Sequence, residues 1–149
     1  MKRAIEGALA SAGGFILGYF VPTIAFMVVY FAGRMSAATP RPSVFEETVM
    51  VVYLAGVYAV VDAIVYCAIT SLSRNWRSRP RRQVAAISGG LGVAAQIVNW
   101  TGLALMPLLP LLSFLPGKAS MLAGIAMPGV LAGAAVLLWS ALRPPKTQP

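Results

Sequence analysis

The sequence predicts an all-α integral membrane protein, a bundle of four transmembrane helices with both termini on the cytoplasmic side of the membrane. The chain has 149 residues, of which 58% are hydrophobic, and its mean hydropathy is +0.77. Four long stretches, 7–33, 48–73, 83–117 and 119–142, contain no charged residue except Asp62. An α-helix needs about 20 apolar residues to cross a hydrocarbon core about 30 Å thick, so each stretch is long enough to span a bilayer.

The positions of the basic residues predict the orientation of the bundle. In a four-span protein the N-terminus, the second connection and the C-terminus share one side, and here they hold nine of the 12 lysines and arginines. The positive-inside rule therefore places both termini in the cytoplasm, as in a bacterial inner-membrane protein. The net charge of +8 thus indicates membrane topology and not nucleic-acid binding. Five arginines in the second connection are expected to contact anionic lipid headgroups. They are Arg74, Arg77, Arg79, Arg81 and Arg82.

The first two predicted helices cover residues 9–31 and 46–72. Pro22 lies near the middle of the first helix and predicts a kink, because proline removes a backbone hydrogen-bond donor. Gly14 and Gly18 form a GxxxG pair in the same helix. Small residues four positions apart let another helix approach closely, so this pair predicts an internal packing face.

The second half of the chain predicts two more helices, separated by an apolar segment that is rich in proline. The predicted ranges are 84–106 for the third helix, 107–116 for the apolar segment and 119–142 for the fourth helix. Prolines at this density exclude an ordinary helix, so the segment is expected to be bent or interfacial on the outer side. Pro128 lies near the centre of the fourth helix, and Gly129 and Gly133 form a second close-packing pair. Residues 1–149 therefore make a single membrane domain.

The residue inventory argues against an enzyme. Histidine is absent, cysteine occurs once, as Cys67, and only four residues are acidic. This excludes a haem imidazole, a Ser-His-Asp triad, a CxxC redox pair and the usual zinc sites. An intramembrane hydrolase with paired aspartates needs two acids within the spans, and this chain has one. We therefore expect no catalytic residues, no cofactor and no metal.

Asp62 is the residue around which we expect a functional polar site. An aspartate at the centre of a span costs about 2.5–3.5 kcal/mol on the insertion scale, so it normally faces the bundle interior. Tyr58, Asp62 and Tyr66 are spaced by four residues and lie on one face of the second helix. Gln96 and Asn99 lie at similar depth in the third helix. The sequence predicts that these five residues form one buried polar cluster. The first helix can add Tyr19 and Thr23.

Two functions are compatible with such a cluster. As a structural clamp or partner-binding surface, it indicates a non-enzymatic inner-membrane accessory protein that packs against a membrane partner, such as a subunit of a complex or a toxin that it neutralises. As a coupling site, it indicates a small proton- or cation-driven transporter or flippase that uses Asp62. Small size, missing cofactor ligands and the lack of a basic residue beside Asp62 favour the accessory protein. Its expected partner is another membrane protein or a second copy of this chain.

Overall fold

The protein is an all-helical bundle with four long apolar helices, as the sequence predicts. The structure is a computed structural model that describes residues 2–35, 44–101 and 117–142. The helices are α1 (Lys2–Met35), α2 (Val44–Thr70), the one-turn α3 (Arg74–Arg77), α4 (Arg81–Thr101) and α5 (Gly117–Leu142). The candidate membrane spans within them are Ile5–Gly33, Glu46–Thr70, Arg81–Thr101 and Ala123–Leu142. Lengths and composition of this kind imply contact with a lipid bilayer.

The helix bounds differ from the predicted ones by a few residues, mostly because the helices continue beyond their apolar cores. α1 extends to Lys2 and Met35 and passes through Pro22 without ending. α2 ends at Thr70, where the Ser73 amide bonds back to the Thr70 carbonyl and tightens the chain into a turn. The predicted end of the third helix and the apolar segment 107–116 lie outside the described residues.

The four long helices form two parallel pairs. α1 packs most extensively with α4, and α2 packs most extensively with α5. The two pairs run in opposite directions. The arginine end of the bundle is the end where α1 and α4 begin, α2 and α5 finish and α3 lies. The glutamate end is the opposite end, where α2 begins with Glu46 and Glu47.

Glycines form the contacts within each pair. Methyl groups added at Gly14 and Gly18 of α1 would collide with the backbone of α4 at Ala85 and Gly89. A methyl group at Gly92 would collide in turn with the α1 backbone. Without a hydrophobic driving force between helices in lipid, close packing of this kind is what holds them together. The α1–α4 pair is therefore held by backbone contact along several turns.

The α2–α5 pair follows the same principle. A Cβ atom at Gly129 would lie 2.5 Å from the Asp62 carbonyl oxygen, and one at Gly133 would lie 2.8 Å from Ile69 Cβ. The side-chain hydroxyls of Ser73 and Ser140 hydrogen-bond at 2.9 Å and close the pair at the arginine end. The four glycines of the two predicted packing pairs thus all lie at helix contacts inside the chain.

Most of the arginine cluster lies on the surface at the arginine end. Arg79 is half-buried and stacks over the Trp139 ring at 4.1 Å, while the other four arginines are exposed. Trp76 lies between Arg74 and Arg77, a position in which tryptophan is commonly an interfacial anchor. In the structure it is only 3% exposed and packs edge-on against Trp139. Arg81 also forms an ion pair with Glu6, which fixes the start of α4 beside the start of α1.

The core is concentrated in the arginine half of the bundle. Phe15, Tyr19, Ala59 and Tyr66 are fully buried there. Toward the glutamate end, no residue in 24–33 of α1 or 46–54 of α2 is buried. Side chains of α1 and α2 are therefore less covered in the glutamate half, where a cavity lies between the two helices.

Candidate functional site

Asp62 lies at the centre of the bundle with no exposed surface. Its Oδ1 accepts a hydrogen bond of 2.8 Å from the backbone N–H of Gly129 in α5. Pro128 explains why a helical N–H is free to do this. The proline ring pushes the preceding turn outward and weakens the helical bonds beside it. Because Gly129 has no side chain, the α2 backbone comes close enough for the carboxyl group to reach that N–H.

Tyr19 of α1 lies next to the Asp62 carboxyl group and links it to α4. The Tyr19 side chain is fully buried, and its hydroxyl oxygen accepts a bond of 3.0 Å from Asn99 Nδ2. The same phenol faces the Asp62 carboxyl group without forming a hydrogen bond to its Oδ2. Tyr58 is half-buried near Tyr19 but makes no hydrogen bond to Asp62 among the described residues.

Gln96 of α4 and Thr23 of α1 form a second polar contact at the depth of Asp62 and Tyr19, which we call the Asp62 layer. Gln96 Nε2 donates to Thr23 Oγ1 at 2.7 Å, and the Thr23 hydroxyl is directed at the Tyr19 carbonyl at 3.5 Å. Both side chains are about 1% exposed. Because Thr23 lies one turn from Tyr19, the Gln96–Thr23 contact adjoins the contact between Tyr19 and Asp62.

Tyr66 belongs to a separate polar layer, nearer the arginine end. Its hydroxyl lies 2.9 Å from Ser88 Oγ, which lies 3.2 Å from Ser11 Oγ. The Tyr66 ring stacks on Phe15 with 4.7 Å between centroids. Phe15 thus separates this hydroxyl layer from Asp62.

Two buried acceptor atoms in the Asp62 layer have no hydrogen-bond donor among the described residues. They are Asp62 Oδ2 and Gln96 Oε1. A buried polar atom without a partner costs free energy comparable to a lost hydrogen bond, and more if it is charged. Native structures rarely tolerate such atoms unless a proton, water molecule or ion binds there.

Polar side chains make contacts both within and between the helix pairs. Tyr66 of α2 bonds to Ser88 of α4, and Asp62 of α2 faces Tyr19 of α1, so these two contacts cross between the pairs. Most of the other side-chain hydrogen bonds, like the close glycine contacts, lie within a pair. Side-chain contacts of the kind that cross between the pairs exchange partners more easily than the backbone contacts inside each pair.

A cavity of about 510 Å³ opens between α1 and α2 at the glutamate end. Phe26 and Val51 lie on its walls, and Glu46 and Glu47 lie at its mouth. Tyr30 donates a hydrogen bond to Glu47 and joins the two helices there. Val51 precedes Asp62 by 11 residues, or about 16 Å of helix. The cavity therefore approaches the Asp62 layer without reaching it.

The structure divides the predicted five-residue cluster. Asp62 and Asn99 meet through Tyr19, and Gln96 lies in the same layer, but Tyr66 bonds one layer away and Tyr58 contributes no hydrogen bond to the carboxyl group. Sequence reasoning missed the Gly129 N–H, although a glycine directly after a proline within a span is a signal for a free backbone donor. Comparison of the chain with family models, curated proteins and solved structures finds no match.

Removing the Tyr66 hydroxyl tests whether the hydroxyl layer of Tyr66, Ser88 and Ser11 has a purely structural role. We expect Tyr66→Phe to lower the free energy of unfolding by about 0.6 kcal/mol and by no more than about 1.7 kcal/mol, the range for hydrogen bonds between membrane helices. The ring keeps its stacking on Phe15, so only the bond to Ser88 is lost. Unfolding in mixed micelles measures the change, and Ser88→Ala should cost at least as much, because it also removes the contact with Ser11. A loss well above this range would contradict a purely local hydrogen bond.

Proposed function

We propose that this protein is a small, non-enzymatic membrane transporter driven by protons or cations, with Asp62 as the coupling carboxylate. The observation that carries the proposal is the burial of Asp62 inside its own bundle with Oδ2 lacking a donor. An ionisable residue in that position is expensive and typically marks an ion pathway. Coupling requires a group that binds and releases a positive charge, and in the described spans Asp62 is the carboxylate placed to do so.

The arrangement of the helices supports alternating access. Each parallel pair is held by contacts between backbones, so it can move as one body. Between the pairs, the Asp62 layer relies on side-chain hydrogen bonds, which are weak individually and easily exchanged. Prolines adjoin this layer on both sides, because Pro22 precedes Thr23 and Pro128 precedes Gly129. Both helices continue through these prolines, each of which removes a backbone hydrogen bond beside the site and makes the helix easier to bend there.

This geometry gives little support to the accessory-protein hypothesis that the sequence favours. One of the three grounds for that hypothesis was the lack of a basic residue beside Asp62, as expected if a partner supplied the positive charge. The carboxyl group instead faces Tyr19 and Gly129 of its own chain. The accessory role stays a prediction, and recovery of a stoichiometric membrane partner after gentle extraction would support it.

Thiol accessibility tests the transporter without knowledge of its substrate. Thr23 is buried in the Asp62 layer, and Ser11 is buried nearer the arginine end. In a Cys67→Ala background, we expect Thr23→Cys to react with a membrane-impermeant thiol reagent applied from the outside. Ser11→Cys should react with the same reagent from the cytoplasmic side of inside-out vesicles. Each position is accessible to water, and so to the reagent, in one of the two alternating states.

A lipid-facing position provides the matched control. Leu17 is 72% exposed on the same helix at similar depth, so Leu17→Cys should stay unlabelled from either side because lipid and not water covers it. If neither Thr23→Cys nor Ser11→Cys is labelled, the centre is a sealed structural clamp and the transporter proposal fails.

A further inference from the structure

The cavity between α1 and α2 at the glutamate end has the size and the lining of a small-molecule site. Its volume is about 510 Å³. Ligand pockets typically enclose about 300–1,000 Å³ and are lined by apolar and aromatic side chains with a few polar groups. Here Phe26 and Met27 of α1 face Met50 and Val51 of α2 across the cavity. Methionine side chains are flexible and polarizable, so these walls can adapt to apolar bodies of different shape.

The cavity lies close to the membrane surface. The candidate spans end at Gly33 in α1 and begin at Glu46 in α2. Phe26 lies seven residues inside the first of these bounds, or about 10 Å of helix, and Val51 lies five residues inside the second, or about 8 Å. This depth is the boundary between lipid headgroups and acyl chains. An occupant can therefore keep a charged group at the mouth while its apolar body stays between the helices.

The mouth of the cavity is negatively charged. Among the described residues that line it, Glu46 and Glu47 are acidic and none is basic, although the chain has a net charge of +8. Glu46 is exposed, and Glu47 accepts a hydrogen bond from Tyr30, which holds this carboxylate beside the aromatic wall. A cleft lined by one sign of charge concentrates ligands of the opposite sign, so the mouth favours cations over anions.

Aromatic rings continue from the mouth into the wall. Phe26 stacks on Tyr30 with 5.9 Å between ring centroids, and Trp100 of α4 meets Phe26 edge-on at 5.2 Å. The faces of such rings attract cations, and quaternary ammonium groups are commonly bound in this way. A primary ammonium has three N–H donors, which would lose water against walls of hydrocarbon, aromatic and thioether groups. A cation whose charge is covered by alkyl or aryl groups has no such donors.

We infer that this cavity binds an amphiphilic organic cation of the quaternary ammonium or phosphonium type, with its apolar body against Phe26 and Val51 and its charge at Glu46 and Glu47. The inference rests on the proposed function, for which it names the substrate class. Because the cavity stops short of the Asp62 layer, binding in it can be measured without transport.

Two ions of similar shape and opposite charge test the site, namely tetraphenylphosphonium and tetraphenylborate. Equilibrium dialysis against lipid nanodiscs, with and without the full-length chain, gives the binding that the protein itself adds. We expect the protein to add saturable binding of tetraphenylphosphonium and none of tetraphenylborate. Saturable binding of both ions would overturn the inference, because the cavity would then accept apolar bodies such as lipid chains whatever their charge. Absence of saturable phosphonium binding would overturn it as well.

Substitutions in the lining locate the bound cation. Glu46→Gln combined with Glu47→Gln removes both charges, while a glutamine oxygen can still accept from Tyr30. We expect it to weaken phosphonium binding by about two- to fivefold for each charge. Phe26→Leu removes an aromatic contact and should weaken binding by about two- to tenfold. Phe31→Leu is the matched control, because this ring contacts Tyr30 without lining the cavity, and binding should not change. Unchanged binding in both lining variants would place the cation elsewhere and overturn the inference.

The outcomes separate this site from transport itself. If the protein binds the phosphonium as expected while thiol labelling shows a sealed centre, the cation site stands and the transporter proposal fails. If labelling shows alternating access while the phosphonium does not bind, the transporter proposal stands and the inferred substrate class is wrong.

Discussion

Replacing Asp62 by asparagine is expected to abolish the pH dependence of access to the bundle centre while leaving the fold intact. The asparagine Oδ1 can still accept from the Gly129 N–H, so the α2–α5 contact is preserved. Its Nδ2 replaces the unpaired Oδ2 with a permanent donor that neither binds nor releases a proton. The variant therefore imitates the protonated state and cannot leave it.

The measurement is the ratio of labelling rates at Thr23→Cys from outside and Ser11→Cys from inside, recorded over a range of pH. With Asp62 present, one proton per site can change this ratio by at most about tenfold per pH unit. With Asp62→Asn the ratio should be constant and should favour one side. In vesicles, proton-linked flux of any transported solute should fall to the level of protein-free membranes. Asp62→Asn chains that keep the pH dependence would rule out Asp62 as the coupling group.

A structural clamp predicts a different result from the same variant. If Asp62 served only to hold α5 against α2, asparagine would keep the Gly129 bond and every measured property would stay close to that of the natural chain. Asp62→Leu then separates the two roles further, since it removes the acceptor of that bond. Loss of stability in Asp62→Leu without a functional effect in Asp62→Asn would identify a clamp.

The fold was predictable from the sequence because membrane spans are determined by composition over about 20 residues. Four long apolar stretches leave little choice of element, and the helix ends differ from the predicted ones mostly where helices extend into polar residues such as Lys2 and Arg81. The helix pairing was not predictable from that information. The Gly14–Gly18 pattern identifies a face for close packing, but its partners Ala85 and Gly89 depend on which helix comes to lie beside it.

The site was predictable in part, for a similar reason. The burial of Asp62 follows from the cost of a carboxyl group in lipid, and the neighbouring Tyr19 follows from depth along the helices. Its backbone partner Gly129 was missed because side-chain chemistry alone does not show free N–H groups. Tyr66 lies one turn nearer the arginine end than Asp62 and bonds there to Ser88, a partner that the spacing of four residues along α2 does not reveal.

Gly18→Ala is expected to destabilise the bundle, whereas Gly13→Ala in the same helix should not. Alanine is the better helix former by roughly 1 kcal/mol, so propensity alone favours both substitutions. At Gly13 nothing lies within 4 Å of the added methyl group. At Gly18 the methyl group would collide with the Gly89 backbone, with Gly89 Cα 2.8 Å away, so that α1 and α4 must move apart. Overpacking of this kind typically costs about 1–3 kcal/mol, which outweighs the gain in propensity.

Unfolding of the two variants in mixed micelles, followed by helical circular dichroism, decides between steric contact and propensity. We expect Gly18→Ala to unfold at a lower denaturant fraction than the natural chain, and Gly13→Ala to unfold at the same fraction or a higher one. Gly18→Val should be worse than Gly18→Ala, because its extra methyl groups meet backbone atoms that cannot rotate away. Equal stability of Gly13→Ala and Gly18→Ala would mean that α1 and α4 are not held by direct backbone contact. The rigid-pair movement proposed for transport would then lose its structural basis, even if Asp62 binds a proton.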